Sequence, residues 1–427
     1  MIYDCVIIGG GLAGLTCGIS SLRKGMTTLI LSNGMNALHF SSGSVDLMGF
    51  DSSEKISKSP FNEISNLNET NNNHPYIKAG ETKIIQAMDF FTRELEQSGM
   101  RLKSKGKENL FHFTNLGVLK PTYLSQESSF DTDSLNSADG ESPVALLNFS
   151  GFRDYFPQLA AANLKKSRLF RKRDLIMGEI CLEQFDEKGR NYNEFRSIDI
   201  ARIFNTERYL NKIAQKICEI SGKAQIITLP SFLGIDNFER VHRKLEELTG
   251  KKIYELPTLP PSIPGLRMDS RLKGIFINAG GHLVSSDRVK AGLFRGKRLN
   301  AVVTENSGPD GIRGKNFLLA TGSFLSGGLV SEYKKITEPV FNTDVFFTPE
   351  RTSWNSESFF TETGHPFMKF GVETTDDFRA IIENSEMENL YCAGSVLGHY
   401  DPVREGSGGG VAVTTGYACA EIMAGRC

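Results

Sequence analysis

The first fourteen residues constrain this chain more than any other stretch. Residues 2–8 form a short apolar run rich in β-branched side chains, which reads as a buried parallel strand. The run ends at Gly9-Gly10-Gly11-Leu12-Ala13-Gly14, a G-x-G-x-x-G spacing at Gly9, Gly11 and Gly14. Residues 12–24 then carry Leu12, Leu15, Ile19 and Leu22 at helical spacing and stop at Gly25, and residues 27–31 read as a second strand. Strand, glycine turn, helix and strand make a βαβ unit. In such a turn the first glycine permits the sharp bend. The second lets backbone approach a phosphate, and the third lets helix and strand pack closely. Leu12 and Ala13 open the helix, whose free N–H groups and positive end favour an anion. A glycine turn kept only for packing is the bland alternative.

The α/β rhythm is then interrupted. Residues 52–75 are rich in Ser, Asn, Lys and Glu and read as an exposed loop, as does a second polar stretch at about 125–142. Helical spacing returns at 81–98, and amphipathic helices are expected at 207–221 and 237–248, with a strand at 226–230 between them. Residues 257–265 hold four prolines and read as a rigid, extended domain crossing. A helix follows at 268–279, then strands at 282–285, 292–294, 301–304, 317–320 and 390–393, and a final helix at 411–424. Both chain ends therefore belong to one domain. The expected fold is α/β, a discontinuous Rossmann-like (FAD/NAD(P)-binding type) three-layer domain with an inserted α+β second domain. Residues 1–50, 265–330 and 386–427 form the first domain, 51–264 the inserted one, and 331–385 a smaller insertion.

Composition narrows the partners. The 427 residues carry a formal net charge of -1, so no global field draws the chain to nucleic acid. Lys165, Lys166, Arg168, Arg171, Lys172 and Arg173 read as a solvated basic face, with an acidic docking partner as the alternative. Seven scattered cysteines, including Cys427, form no C-x-x-C, which argues against a disulfide framework or a metal site. No basic-then-apolar leader is visible at the N-terminus, and no run of about 18 apolar residues suggests a span.

Two later motifs join the glycine turn. Residues 316–323 end an apolar strand in Ala320-Thr321-Gly322, similar to the late motif of two-dinucleotide-binding flavoproteins. Residues 391–410 follow a strand, pass through Gly394, His399 and Arg404, and reach Gly408-Gly409-Gly410 before the last helix. Flavin reduction leaves negative charge on the ring, which a helix N-terminus stabilises. Gly9, Gly11, Leu12, Ala13, Gly14, Thr321, Gly322, Gly394, Gly408, Gly409 and Gly410 are therefore candidate flavin-binding residues, drawn from both chain ends. His39, Ser41, Ser42 and Gly43, after the second strand, could meet a ring edge or phosphate.

One departure stands out. The acid that holds a ribose, expected about 20 residues after the turn, is replaced by Ser32-Asn33-Gly34. Ser32 can hydrogen-bond a ribose less strongly. His399 is a candidate proton relay and Arg404 a candidate for a phosphate or reduced flavin, each against a packing or ion-pair role, with Asp401 or Glu405 as partner for Arg404. Arg267 could hold an anion or an interdomain carboxylate. His365 and Trp354 read as structural.

Leu38-His39-Phe40-Ser41-Ser42-Gly43-Ser44-Val45-Asp46-Leu47 and Glu255-Leu256-Pro257-Thr258-Leu259-Pro260-Pro261-Ser262-Ile263-Pro264-Gly265-Leu266-Arg267, with the glycine motif and C-terminal loop, resemble the B subunit of anaerobic glycerol-3-phosphate dehydrogenases. The resemblance covers most of the chain. It implies oxidation of sn-glycerol 3-phosphate to dihydroxyacetone phosphate, with electrons passing toward a quinone pool and on to fumarate or nitrate. It also implies a soluble catalytic dimer with the dehydrogenase A subunit and an iron–sulfur membrane anchor in the C subunit. Through that anchor it implies a place on the cytoplasmic face of the inner membrane. FMN is the flavin it implies, with FAD the alternative. FMN also fits Ser32, having no adenosine ribose to hold. A self-sufficient flavin dehydrogenase and a scaffold that has lost flavin are the competing expectations. An NAD-dependent enzyme would leave the two later motifs unexplained.

Overall fold

A computed structural model describes residues 2–137, 141–181, 191, 194–361 and 363–425; Cys427 and part of the 125–142 stretch lie outside these. In chain order the principal elements are β1 (Ile2–Ile8), α1 (Leu12–Arg23), β2 (Thr28–Ser32), α2 (Pro60–Thr70), α3 (Pro75–Ala79), α4 (Glu81–Gln97), β3 (Leu110–Phe113) and β4 (Leu119–Thr122). They continue with β5 (Val144–Phe149), α5 (Pro157–Leu164), β6 (Leu175–Ile180), α6 (Ser197–Phe204), α7 (Leu210–Ser221), β7 (Ile226–Pro230), α8 (Phe238–Thr249), β8 (Lys252–Leu256) and α9 (Ile263–Asn278). The last are β9 (His282–Ser285), β10 (Val289–Arg295), β11 (Arg298–Thr304), β12 (Ile312–Leu319), β13 (Arg379–Ile382), β14 (Ser385–Cys392) and α10 (Gly408–Ala424).

The chain divides into two compact units. One comprises residues 1–37, 45–98 and 271–427; the other comprises 38–44 and 99–270.

The first unit holds an eight-stranded sheet in the order β9-β2-β1-β12-β11-β10, with β14 beside β12 and β13 beside β14. β9, β2, β1, β12 and β14 run parallel, and the pairs β10–β11, β11–β12 and β13–β14 are antiparallel. Strands buried on both faces must be apolar throughout. Val6, Ile7, Leu29, Ile30, Leu31, Phe317, Leu318 and Leu319 are at most 2% exposed. α1 is buried over most of its circumference because α10 crosses it closely. A Cβ on Gly416 of α10 would fall 2.4 Å from the Ala13 carbonyl oxygen.

The second unit contains a four-stranded, fully parallel sheet, β8-β7-β5-β6, and the antiparallel hairpin β3–β4. Its core gathers Phe113, Phe130, Phe149, Phe152, Phe170, Phe204 and Phe232 around the sheet. Edge-to-face pairs such as Phe152–Phe232, with centroids 4.6 Å apart, contribute about 0.5–1.5 kcal/mol each beyond their buried area.

Four expectations need correction. Residues 52–75 are not all loop: α2 forms there, started by Pro60 in its first turn. Only Pro60, Phe61 and Ile64 of α2 are buried, so its apolar signal is short. Burying Phe61 and Ile64 contributes about 1.5–3 kcal/mol each, enough to hold a polar helix in place. Residues 51–98 group with the first unit, because α4 packs on α10 and α3 lies against α10. The polar stretch from 125 is largely interior: Ser125, Gln126, Ser128, Asp131 and Ser134 are all buried. Ser128 Oγ donates to Glu255 at 2.7 Å, Ser134 Oγ donates to Asp131 at 2.7 Å, and Gln126 Nε2 donates to the Pro264 carbonyl at 2.8 Å.

The fourth correction concerns the proline segment. α9 begins at Ile263, five residues ahead of the expected start, and takes Pro264 into its first turn, where no backbone donor is needed. The crossing between units lies within α9, between Ser270 and Arg271, rather than in the extended segment. Residues 331–385 group with the first unit. In the basic run, Lys165, Lys166, Arg168, Arg171 and Lys172 are exposed, while Arg173 is buried and donates to the Ser142 carbonyl at 2.9 Å.

Candidate functional site

Every parallel strand of the first unit's sheet ends at the same edge. The sequence motifs sit on that edge: Gly9 after β1, Ser32 at the end of β2, Ala320-Thr321-Gly322 after β12, and Ala393-Gly394 after β14. Strand order reverses at β1, since the chain leaves it toward β2 while β12 lies on its other side. The carboxyl edge at such a reversal is where open α/β sheets hold ligands.

The glycines are there for space. A Cβ on Gly9, at φ +119°, would lie 2.1 Å from the Ala320 carbonyl oxygen, and one on Gly14 would lie 2.0 Å from the Gly9 carbonyl oxygen. Gly14 thus fixes α1 against β1, and Gly9 fixes the turn against the end of β12. Gly11 is different: a Cβ there meets only Asn36, at 3.8 Å, so its surface is open. The turn is held from outside by Asn36, whose Nδ2 donates to the Gly10 carbonyl at 2.9 Å. The first N–H groups of α1, at Leu12, Ala13 and Gly14, have no acceptor within the helix.

Thr321 bears most directly on fit. Its Oγ1 is buried and has no hydrogen-bond partner. An unmatched buried hydroxyl costs about 1–3 kcal/mol. A ligand oxygen within reach of it would remove that cost. Gly394, at φ +80°, approaches Ala13 closely, and its N–H donates to Thr415 of α10 at 2.9 Å. Gly408, Gly409 and Gly410 are the first turn of α10, not the end of a loop. Gly409 lies against Val45 and Asp46, and a Cβ on Gly410 would strike the Tyr76 hydroxyl at 2.2 Å. Gly turn, orphan hydroxyl and glycine-lined helix start fit a flavin with a phosphate.

The C-terminal loop is pinned by α3. Tyr76 donates to the Leu47 carbonyl at 2.7 Å, and His74 contacts Glu405 at 3.1 Å while its Nδ1 accepts from the Tyr76 N–H. His399 sits at φ +69°, a conformation few non-glycine residues adopt. Its Nε2 is 2.9 Å from Glu373, its carbonyl accepts from Asn71 at 2.6 Å, and its ring stacks on Phe346 with centroids 4.1 Å apart. The hydrogen bond from His399 holds the Glu373 carboxyl below the usual carboxylate range. Burial pulls the nearby Lys78 ammonium down; it donates to the Thr374 carbonyl at 2.8 Å. Arg404 pairs with Glu54, a residue outside the local loop that had supplied its expected partners.

His39, Ser41, Ser42 and Gly43 group with the second unit. There His39 Nε2 meets Asp269 at 2.9 Å, Ser41 Oγ donates to the Leu38 carbonyl at 2.9 Å, and Ser42 and Ser44 hydroxyls bond each other at 2.7 Å. Lys120, which no motif marked, reaches both of those hydroxyls. Arg267 is fully buried and holds Glu255 through two hydrogen bonds, one at 2.9 Å, while Nε donates to the Gly234 carbonyl at 2.8 Å. Burial pushes the Glu255 carboxyl up, but Arg267, Ser128 and the Leu233 N–H together bring it below its ordinary value. Arg267 is therefore an internal structural cation. His365 accepts from the Ser356 N–H at 3.2 Å, and Trp354 is buried, both as expected of structural residues.

The family model described as "FAD binding domain" matches residues 4–411. The B subunit of the anaerobic glycerol-3-phosphate dehydrogenase of Aliivibrio fischeri (strain ATCC 700601 / ES114) is 35% identical over 435 residues, covering 99% of this chain and 95% of that protein. The chain belongs to the B-subunit family of anaerobic glycerol-3-phosphate dehydrogenases. The protein of that name from Vibrio vulnificus (strain YJ016) is 35% identical over 425 residues, covering 99% of this chain and 96% of its own. That from Actinobacillus pleuropneumoniae serotype 5b (strain L20) is 33% identical over the whole of both chains. The family expected from residues 38–47 and 255–267 is thus the family found, and the α/β Rossmann-like flavoprotein fold goes with it.

Sequence reasoning missed Glu373, Glu54, Asn36 and Lys120. Each meets its partner across at least 26 residues, and none lies in a recognisable motif.

Proposed function

We propose that this chain is the flavoprotein subunit of a dehydrogenase complex that oxidises sn-glycerol 3-phosphate to dihydroxyacetone phosphate and passes the electrons toward a quinone. The observation that carries the reading is the shared carboxyl edge. Gly9–Gly14 and Thr321 follow neighbouring strands at the rim of one sheet, and α10, from the other end of the chain, reaches the same rim where Thr415 accepts from the Gly394 N–H.

A bound flavin would supply the two-electron acceptor for the alcohol carbon. The chain's own residues do the rest. Backbone N–H groups opening α1 hold phosphate, and Thr321 Oγ1 donates to a ligand oxygen. The positive end of α10 favours negative charge on the ring. Gly9, Gly11, Leu12, Ala13, Gly14, Ser32, Thr321, Gly322, Gly394 and Gly408–Gly410 are the proposed cofactor shell. His39, Ser41, Ser42 and Gly43 belong to the proposed binding residues from the second unit. His399, in the tautomer that donates from Nε2 to Glu373, leaves Nδ1 able to accept the substrate hydroxyl proton. Arg404, tied to Glu54, serves as a fixed positive charge.

FMN is the proposed flavin. The end of β2 offers only Ser32, and the acid that follows β9, Asp287, is engaged by Thr304 Oγ1 at 2.7 Å and Asn306. No carboxylate there remains for an adenosine ribose. FAD is the second reading, favoured by the description of the matching family. The proposed partners are the dehydrogenase A subunit, which completes the catalytic dimer, and the iron–sulfur C subunit, which anchors it to the inner membrane's cytoplasmic face. Among the described residues no helix is long and apolar enough to cross a membrane.

The test is purification with the dehydrogenase partner, chromatography of the released flavin, and assay with glycerol 3-phosphate and an artificial acceptor. FMN with partner-dependent turnover supports the proposal. FAD alone removes the FMN assignment, full turnover by this chain alone favours a self-sufficient enzyme, and a flavin-free active complex removes the redox role.

A further inference from the structure

In the second unit the basic run after α5 adjoins a group of exposed apolar side chains. α5 buries Pro157, Ala160, Ala161 and Leu164 and turns its other side outward. Phe156, Leu159, Asn163 and Lys166 follow one another at three- and four-residue spacing, so they share that outward side. The turn of the β3–β4 hairpin lies against it. Asn163 Nδ2 donates to the Leu116 carbonyl at 2.9 Å, and Asn115 Nδ2 donates to the Asp154 carbonyl at 3.2 Å. A Cβ on Gly117 would fall 2.3 Å from the Ala160 carbonyl oxygen.

The loop after α5 is fastened to the same hairpin. Phe170 is fully buried and packs edge-on against Phe113 of β3, with centroids 5.2 Å apart. Around that anchor Lys165, Lys166, Arg168, Arg171 and Lys172 are exposed. Lys165 donates to the Arg173 carbonyl at 2.7 Å and Lys166 to Asn163 Oδ1 at 2.9 Å, neutral acceptors that leave both charges uncompensated. Exposed Arg153 adds a further cation ahead of α5, and the exposed carboxylates between 153 and 174 are Asp154 and Asp174. Beside these cations Leu116, Val118, Phe156, Leu159 and Leu169 are each 45–58% exposed. A single exposed leucine is ordinary, but apolar side chains gathered on one hairpin tip, helix side and loop form a patch that calls for a partner.

We propose that this face of the second unit rests on an anionic lipid surface. The cations attract the headgroups, and the apolar side chains enter the boundary between headgroups and acyl chains. Lys and Arg suit that position, because their methylene stems lie along the apolar layer while the charge stays in water. A hairpin tip and one side of a helix make a projecting shape, which a fluid lipid layer accommodates at any side-chain spacing. An acidic protein surface would match the cations but leave Leu116, Val118 and Phe156 facing polar groups.

The test uses the full chain by itself, so that no anchoring partner can carry it to a vesicle. The chain is expected to sediment with vesicles of equal parts phosphatidylglycerol and phosphatidylcholine, and not with phosphatidylcholine alone. Lys166→Gln, Arg168→Gln, Arg171→Gln and Lys172→Gln combined should weaken binding at least about 100-fold, since each cation near such a surface strengthens it about fivefold. Exchanging Lys for Arg and Arg for Lys at the same positions should keep it. Leu116→Ser with Phe156→Ser should weaken binding about 10-fold or more, the loss of apolar area from the interface. All of these variants should melt with the parent, because the altered side chains are exposed. Failure of the parent to bind the anionic vesicles overturns the proposal, as does binding that survives the four-glutamine variant. Binding lost with the charges but unchanged in Leu116→Ser with Phe156→Ser also overturns it, and points to an acidic protein partner read by charge alone.

Discussion

The two parallel sheets end in opposite ways. In the first unit the carboxyl edge runs into Gly9, Gly322 and Gly394, small residues beside a Thr321 hydroxyl that is left without a partner. In the second, the same edge of β7 and β8 is stoppered by its own groups. The Ser231 N–H and hydroxyl both donate to the Leu256 carbonyl, the Leu233 N–H donates to Glu255, and Arg267 closes over that carboxylate with Phe238 on its face. A parallel sheet is not by itself a nucleotide site. It becomes one where glycine removes side chains and leaves polar atoms without internal partners. The second unit spends its edge on a buried ion pair.

That contrast can be broken from either side. The largest effect is expected from Arg267→Met, which leaves the Glu255 charge buried without a counter-ion. The cost is roughly 3–5 kcal/mol. Urea melts should show the second unit unfolding early, and pairing the change with Glu255→Leu should restore much of the loss. A variant melting with the parent would show the pair to be dispensable.

Next come Gly9→Ala and Gly14→Ala, whose new methyls meet carbonyl oxygens at 2.1 Å and 2.0 Å. About 1–3 kcal/mol of strain falls on the turn proposed to hold phosphate. Purified protein is expected to lose its flavin absorbance, and retention at full occupancy would move the site elsewhere.

Thr321→Val is subtler. The hydroxyl has no partner to lose, so melting of the flavin-free chain should not fall. Flavin affinity should drop by about 5- to 30-fold, the equivalent of about 1–2 kcal/mol. Equal affinity would mean Thr321 faces no ligand.

The smallest effect concerns Asp4, which ties β1 to Lys315 of β12. Its hydrogen bonds from Lys315 and Thr27 lower the carboxyl from 3.8 to about 2. A depressed folded value means the stabilisation is fully present above the unfolded value and fades as pH falls from about 4 through about 2. Asp4→Asn should therefore lower the melting temperature by a few degrees at pH 7, with the gap narrowing by pH 3, as thermal scans would show.

The glycine-rich edge of the first unit was legible because its demands are local. A β-branched run, three glycines and a 3.6-residue stripe each have one physical reading. The second unit was harder. The segment holding Gln126, Ser128 and Asp131 looks like surface by composition, yet Gln126 bonds the Gly43 and Pro264 carbonyls, Ser128 bonds Glu255, and Asp131 holds Ser134 and Lys103, partners that no windowed average sees. Pro264 misled for a related reason: the same ring that breaks a helix interior is welcome in its first turn. α2 was lost because three buried residues give too little periodicity. Among candidate side chains, Arg404 and His399 stood out on loop position alone. Their carboxylate partners, Glu54 and Glu373, come from segments far off in sequence, and only folding brings them into contact.

The crossing of α10 over α1 also sets an order of events during biosynthesis. The glycine turn after β1 leaves the ribosome long before the helix that packs over α1. On the proposed cofactor shell, flavin capture waits until α10 has emerged. A nascent chain, or one clipped ahead of α10, would carry a half-built rim with the apolar flank of α1 bare to solvent, and would be a target for chaperones until that helix docks.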